Sequence, residues 1–152
     1  MDHFKKILVP LDGSEHSKRS LETAITLAKK FEGNITLIHV YSTSILMPIS
    51  MYDEEFDVAA STEVSKLLEM IREAGAEILA TGRKRCEVEG IPLKTLLEEG
   101  HAVQEIIKTA REGGFHLIVM GAKGRSKIKE ILLGSVSEKV VRNASCAVMV
   151  VK

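Results

Sequence analysis

The stretch Ile7-Leu8-Val9-Pro10-Leu11-Asp12-Gly13-Ser14 decides the fold class of this chain. Its continuous apolar run is typical of a strand that is buried on both faces of a sheet. Ser14 suits the N-cap of a helix, and the apolar residues that follow recur at helical spacing up to Gly33, which would close that helix. A second buried-strand pattern covers residues 35–40. A strand, a helix and another strand in this order predict a parallel βαβ unit.

The rest of the chain continues this alternation. A loop is predicted at residues 42–52, and a long helix from about residue 53, although Gly75 and Gly82 each disfavour a helix by about 1 kcal/mol relative to alanine. Two segments compete for the third strand: residues 85–89 continue the helical stripe, whereas residues 93–98 follow a Gly-Ile-Pro breaker and are preferred. The remaining predicted elements are a helix opened by Gly100 and ended at residues 113–114, a strand at 115–120, a helix at 135–143 and a strand at 147–151. Together these elements predict an α/β three-layer sandwich around a five-stranded parallel sheet.

Composition narrows the possible partners. The 152 residues carry 21 Lys and Arg against 21 Asp and Glu, and this zero net charge argues against a nucleic acid partner. Aromatic residues are only 4%, which disfavours base stacking.

The length predicts one domain, residues 1–152. No apolar run is long enough for a signal peptide or a membrane span, and Cys86 and Cys146 are interpreted as reduced structural thiols. We therefore expect a cytoplasmic protein with no membrane partner.

A glycine-bearing segment carries the clearest functional signal. It runs Met120-Gly121-Ala122-Lys123-Gly124-Arg125-Ser126 and resumes at Gly134-Ser135-Val136-Ser137. Glycines that leave a strand and end at a helix N-terminus present backbone amides to an anion, and serine hydroxyls and basic side chains add to them. The alternative is structural: Gly121 as a turn residue, and Ser135 as the first member of a capping box with Glu138. That alternative is preferred for any single residue, whereas the whole set, spaced G-x2-G-x9-G-S, favours a phosphate site.

With these segments the chain resembles the universal stress protein family, and specifically its ATP-binding branch. The resemblance covers nearly the whole chain. It is carried by residues 7–14, by Leu37-Ile38-His39-Val40, by Leu117-Ile118-Val119-Met120-Gly121 with the complete glycine signature, and by Cys146-Ala147-Val148-Met149-Val150-Val151. The chain has Gly100-His101-Ala102 where the family often has glycine-x-proline, so His101 is given no family role.

The resemblance implies a fold and a ligand. The strand order would be 3-2-1-4-5, as in adenine nucleotide alpha hydrolase-like folds, with the ligand at the carboxyl ends of the first and fourth strands. The ligand would be ATP with Mg²⁺ or Mn²⁺ at its phosphates, and Asp12 would contact the ribose or phosphates, or hold the cation together with the phosphates. Asp12-Gly13-Ser14 equally suits a turn and a helix cap. The residues implied to bind the nucleotide are Pro10, Leu11, Asp12, Val40, Met120, Gly121, Gly124, Arg125, Ser126, Gly134, Ser135, Val136 and Ser137.

Individual roles follow from the same resemblance. The backbone of Val40 would meet the edge of the adenine, while Pro10 and Leu11 would line the adenine and ribose. The glycines and serines of the signature would wrap the ribose and phosphates. The last strand, at the sheet edge, would pair antiparallel with a second copy to form a homodimer.

Three functions are consistent with this pattern. The first is an ATP-binding module that serves a stress response through nucleotide-dependent changes. The second is a slow ATPase or nucleotide hydrolase, which is weakened because Asp12 is the only carboxylate placed near the phosphates. The third is an interaction scaffold without a ligand, against which the intact signature argues.

Overall fold

The computed structural model describes residues 4–44, 62–124 and 133–152. Strands and helices alternate along these residues. The elements are β1 (Lys6–Pro10), α1 (Glu15–Phe31), β2 (Asn34–Tyr41), α2 (Thr62–Val88), β3 (Leu93–Glu99), α3 (Ala102–Glu112), β4 (Leu117–Gly121), α4 (Ser135–Asn143) and β5 (Ala147–Val151).

All five strands are parallel and lie in the order β3-β2-β1-β4-β5, which confirms the expected topology. β1 pairs with β2 along its whole length, from Lys6 to Pro10. It pairs with β4 only at Ile7 and Leu8. The chain changes winding direction between β1 and β4, so the crevice at their carboxyl ends is the place where such sheets bind ligands.

The helices cover both faces of the sheet and so complete three layers. α1 and α2 pack on one face through Leu21, Ile25 and Leu79, together with buried strand residues such as Val9. α3 and α4 pack on the other face through residues that include Ile106 and Val140. Alternate residues of β1 belong to opposite cores, as expected for a strand covered on both sides.

The two glycines within α2 let this helix lie close to the sheet. A Cβ atom at Gly82 would stand 2.7 Å from Cδ1 of Leu11, and one at Gly75 would stand 2.6 Å from Cδ2 of His39. Both distances are shorter than a carbon–carbon contact of about 3.5–4.0 Å. The close approach of the helix to the sheet therefore offsets the low helix propensity of these residues.

The observed elements differ from the predicted ones at some boundaries. The third strand is confirmed at Leu93–Glu99, and the competing segment lies in α2 and its end. The fourth strand begins two residues later than predicted, after the buried Phe115. The C-cap of α1 is Glu32, in left-handed conformation, while Gly33 is needed because a Cβ there would stand 2.9 Å from the carbonyl oxygen of Lys5. Residues 45–61, which hold most of the predicted loop and the predicted start of the long helix, lie outside the described residues.

An ion network joins α1 to α2 at the surface. Arg85 donates to both carboxylate oxygens of Glu22, at 2.6 and 2.8 Å, and to Glu89 at 2.7 Å, and Lys29 also pairs with Glu89. These two cations lower the pKa of Glu89, with Lys29 as the larger cause. Because these groups are partly or largely exposed, the network fixes the relative position of α1 and α2 but adds little to the free energy of unfolding.

No helix in the described ranges of the chain is both long enough and apolar enough to cross a membrane.

Candidate functional site

A cavity of about 270 Å³ opens at the carboxyl ends of β1 and β4. Every predicted site residue that the structure describes lines it, whereas Arg125 and Ser126 lie outside the described residues. The lining residues foreseen from the sequence are Pro10, Leu11, Asp12, Val40, Met120, Gly121, Gly124, Gly134, Ser135, Val136 and Ser137.

Two of the glycines in the signature have different steric surroundings. A Cβ on Gly121 would lie 2.7 Å from the carbonyl carbon of His16 and 2.9 Å from the backbone nitrogen of Ser17. Glycine at this position therefore lets the first turn of α1 pack against the end of β4. A Cβ on Gly124 would instead lie 2.7 Å from Oδ2 of Asp12, which is the end of a side chain. Gly124 is exposed, so its backbone faces the cavity and solvent.

The first turn of α4 lies at the cavity. Its N-cap is Gly134, in extended conformation, and Ser135 is the first helical residue. The alternative in which Ser135 caps the helix is therefore wrong, because the cap falls one residue earlier. No side chain among the described residues caps this helix end. The first amides of a helix lack partners within the helix and carry partial positive charge, so this turn favours an anion.

Ser137 ties the two parts of the glycine segment together. Its side chain is buried, and its hydroxyl lies 2.7 Å from the carbonyl oxygen of Ala122 and 3.1 Å from that of Gly134. The backbone nitrogen of Gly134 donates to the same Ala122 oxygen at 2.6 Å, and the Ala122 nitrogen donates to Val151 at 2.7 Å. A hydroxyl has one proton to donate, and Ser137 donates it to a backbone carbonyl oxygen of the glycine segment. In this structure Ser137 therefore holds the two parts of that segment together.

Asp12 makes the turn interaction and also lines the cavity. Its Oδ1 accepts from the backbone nitrogen of Ser14 at 2.9 Å, which is the turn interaction. Ser14 in turn caps α1 by accepting from the nitrogen of Ser17 at 3.2 Å. The other carboxylate oxygen of Asp12 faces Gly124 across the cavity. The turn thus fixes the carboxylate at the cavity rather than competing with a role there.

The cavity has an apolar part and a polar part. Its apolar lining is aliphatic and comes from three strands and two helices. These residues are Pro10, Leu11, Ile38, Val40, Ala102, Ile106, Met120 and Val136. The polar part consists of Asp12, the hydroxyls of Ser14, Ser17, Ser135 and Ser137, Lys123 and the glycines. This division suits a ligand with a flat apolar group at one end and an anionic group at the other.

Sequence analysis missed some lining residues. Ile38, Ala102 and Ile106 give no local signal, because they are apolar positions that become cavity walls only when β2 and α3 meet. Lys123 was expected to supply positive charge beside the glycine segment, and the structure adds it to the cavity lining. Its backbone nitrogen donates to Nδ1 of His16 at 3.3 Å, a contact that joins the loop to α1.

Metal binding at the cavity depends on Asp12. Within the residues that the structure describes, no group of three or more His, Cys, Asp or Glu side chains is placed to hold a metal ion. Asp12 is the carboxylate of the cavity lining, so a cation there would need its remaining ligands from a bound molecule and water.

Comparison with known proteins assigns the family. The family model described as the universal stress protein family matches residues 3–152. The Universal stress protein MJ0531 of Methanocaldococcus jannaschii is 35% identical over 149 residues, which is 98% of this chain and 82% of the relative. The Universal stress protein YxiE of Bacillus subtilis is 32% identical over 154 residues, 98% of this chain and 99% of the relative.

Solved structures show the same fold. That of the protein MJ0577 of Methanocaldococcus jannaschii has a TM-score of 0.82 and 28% identity, over 99% of this chain and 96% of that one. A universal stress protein in complex with cAMP has a TM-score of 0.70 and 20% identity, over 99% and 98% of the two chains. An Arabidopsis thaliana protein of the family with AMP bound has a TM-score of 0.67 and 19% identity, over 97% and 91%. By its sequence and its fold, this chain belongs to the universal stress protein family.

Proposed function

We propose that the cavity at the carboxyl ends of β1 and β4 binds an adenine nucleotide, with ATP as the ligand. The observation that carries this proposal is the division of the cavity into an aliphatic part and a polar part rich in backbone amides and hydroxyls, at the topological switch point. Family members with cAMP and with AMP bound support a nucleotide as the ligand class.

The lining residues suggest how the nucleotide would lie. The aliphatic walls and the backbone of Val40 would hold the adenine, since no aromatic side chain lines the cavity among the described residues. The phosphates would lie against the amides of Gly124 and Ser135 and the ammonium group of Lys123. Arg125 and Ser126 would join them, as the family resemblance implies.

A divalent cation, Mg²⁺ or Mn²⁺, fits this arrangement through Asp12. A phosphate-bound Mg²⁺ ion needs only one or two protein carboxylates, because phosphate oxygens and waters complete its octahedron. The cation would neutralise phosphate charge beside the Asp12 carboxylate. Affinity for ATP should therefore fall when the cation is removed with EDTA, and this dependence should be weaker in Asp12→Asn.

In the cell we propose a nucleotide-dependent module of a stress response, formed by one cytoplasmic domain. A slow ATPase or nucleotide hydrolase is the second candidate. Asp12 is the carboxylate that lines the cavity in the described part of the chain, and a bound cation would occupy it. Binding without appreciable turnover is the expected result.

The decisive experiment is to denature freshly purified protein and identify any released nucleotide by chromatography. Calorimetric titration with ATP, AMP, cAMP and GTP then establishes specificity, and phosphate release measures turnover. Gly124→Val should remove most of the binding, because its side chain would enter the phosphate path and displace the Asp12 carboxylate. Unchanged ATP affinity in this variant would place the ligand elsewhere, and steady turnover would favour the hydrolase.

We also propose an antiparallel homodimer through β5. This strand is a sheet edge, and Met149 on it is 37% exposed. An apolar edge with unpaired backbone groups invites another strand. Sedimentation at micromolar concentration tests the proposal, and a monomer there would refute it.

A further inference from the structure

His39 contacts the turn that follows β1, at Leu11, from the face of the sheet opposite the cavity. It lies on β2 between Ile38 and Val40, which both line the cavity, so its side chain projects to the other side. There its Nδ1 lies 2.7 Å from the carbonyl oxygen of Leu11. Since a carbonyl oxygen only accepts, Nδ1 carries the proton and donates it.

This hydrogen bond fixes a peptide at the cavity floor. β2 holds Leu11 at both ends, because the Leu11 nitrogen donates to the carbonyl oxygen of Ile38 at 2.8 Å and its own carbonyl accepts from His39. In a planar trans peptide the carbonyl and the following N–H point in opposite directions. With the Leu11 carbonyl turned to His39, the N–H of Asp12 is turned toward the face of the sheet where the cavity lies.

The fold makes room for the imidazole at a cost to α2. A Cβ on Gly75 would stand 2.6 Å from Cδ2 and 3.1 Å from Nε2 of His39. Glycine in the middle of a helix is less favourable than alanine by about 1 kcal/mol. Leucine or valine at this half-buried position of β2 would pack against α2 and would need no hydrogen-bond partner. The presence of histidine here, with its hydrogen bond to Leu11 and with glycine opposite it in α2, therefore indicates that the imidazole has a function.

We propose that His39 is a positioning residue of the nucleotide cavity. By holding the Leu11 carbonyl, it sets the plane of the Leu11–Asp12 peptide and so the place of the Asp12 carboxylate, without touching the ligand itself. This inference rests on the proposed function, and it adds a residue that lies outside the cavity lining.

The experiment compares two substitutions of His39 with a control on the neighbouring strand. His39→Leu keeps an apolar contact with α2 but removes the donor, whereas His39→Asn places an amide N–H near the position of Nδ1. Leu97→Val is the control: Leu97 is the register partner of His39 on β3 and contacts the same Gly75, but it does not line the cavity. Calorimetry gives the ATP dissociation constant, and urea unfolding gives the stability of each variant.

His39→Leu should weaken ATP binding about three- to tenfold, the range for one lost hydrogen bond, and His39→Asn should stay within about twofold of the parent. Leu97→Val should lower the urea midpoint and leave ATP affinity unchanged. Parent-like affinity in His39→Leu, equal losses in Leu and Asn variants, or an equal loss in Leu97→Val would each overturn the proposal.

A second measurement separates this inference from the proposed function. In nucleotide-free protein, amide hydrogen exchange at Leu11 and Ser14 reports the opening of the loop, since both amides are hydrogen-bonded. Exchange should quicken at both amides in His39→Leu and not in His39→Asn. If the parent binds no nucleotide, the proposed function fails, and unchanged exchange in His39→Leu overturns the positioning role on its own.

Discussion

Gly121→Ala should lower the stability of the fold, whereas Gly124→Ala should mainly weaken ATP binding, although each new Cβ would lie 2.7 Å from its nearest atom. At Gly121 that atom is the carbonyl carbon of His16, and the Ser17 nitrogen is 2.9 Å away. These atoms belong to the first turn of α1 and cannot rotate aside. At Gly124 the atom is Oδ2 of Asp12, and a carboxylate can turn.

The magnitudes follow from this difference. A contact of 2.7 Å is about 0.8 Å shorter than the shortest favourable carbon–carbon separation, so α1 must move away from β4. Overpacking of this kind costs about 1–3 kcal/mol, and alanine regains about 0.5–1 kcal/mol of backbone entropy, which leaves a net loss of about 0–2.5 kcal/mol. Because the contacts are with backbone atoms that cannot turn away, we expect a loss of about 1–2 kcal/mol for Gly121→Ala. For a chain of this length that loss lowers Tm by about 2–8 °C. Gly124→Ala should change stability by less than about 0.5 kcal/mol.

For ATP binding, we expect Gly124→Ala to have a marked effect although it changes stability little. Turning the Asp12 carboxylate removes a group from the polar part of the cavity, so Gly124→Ala should weaken ATP binding about three- to tenfold. Because the chain has no tryptophan, circular dichroism in urea is the stability assay, with calorimetry for binding. The reasoning is refuted if Gly121→Ala unfolds at the parent's urea midpoint, or if Gly124→Ala loses as much stability as Gly121→Ala.

Three further predictions concern other parts of the fold. Ser137→Ala should lower the free energy of unfolding by about 1 kcal/mol rather than more, because the Ala122 carbonyl keeps its second donor; urea unfolding measures this, and a loss above 3 kcal/mol would contradict it. Burial raises the pKa of Cys86 to about 11, so iodoacetamide at pH 8 should alkylate the half-buried Cys146 first, as peptide mass spectrometry would show; equal rates would be inconsistent with this burial. Met149→Lys should convert the proposed dimer to a monomer in sedimentation, whereas an unchanged dimer would exclude the β5 edge as the interface.

Local patterns were sufficient for the fold class. Buried-strand runs, helix spacing and the cap at Ser14 are properties of neighbouring residues, and the structure has each element near its predicted place. The order β3-β2-β1-β4-β5 came from the family resemblance, since pairing of distant strands leaves no local mark. Local patterns predicted the bounds of the helix Ser135–Asn143 correctly, but they misplaced other boundaries, such as the start of β4, which lies at Leu117 and not at Phe115.

The candidate site shows the same division. The glycine spacing and the strand ends predicted which residues would line the cavity, because the chemistry of the proposed anion site depends on residue type and short-range order. The contributions of Ile38 and Ile106 to the cavity lining could not be predicted, because a buried isoleucine has the same local sequence pattern whether or not it faces a cavity. The function of His39 was equally hidden, because its partner Leu11 is 28 residues away.

The sequence by itself determined the alternation of strands and helices and the residues able to meet a phosphate, for these depend on local geometry and side-chain chemistry. Only the tertiary structure decided why Gly75 and Gly121 are glycines, because each faces an atom from a distant segment. It also decided how the loops at the cavity are held, by Ser137 on one side and His39 on the other. Steric exclusion and hydrogen bonding act between atoms close in space, and the order of residues along a chain does not state which atoms those will be.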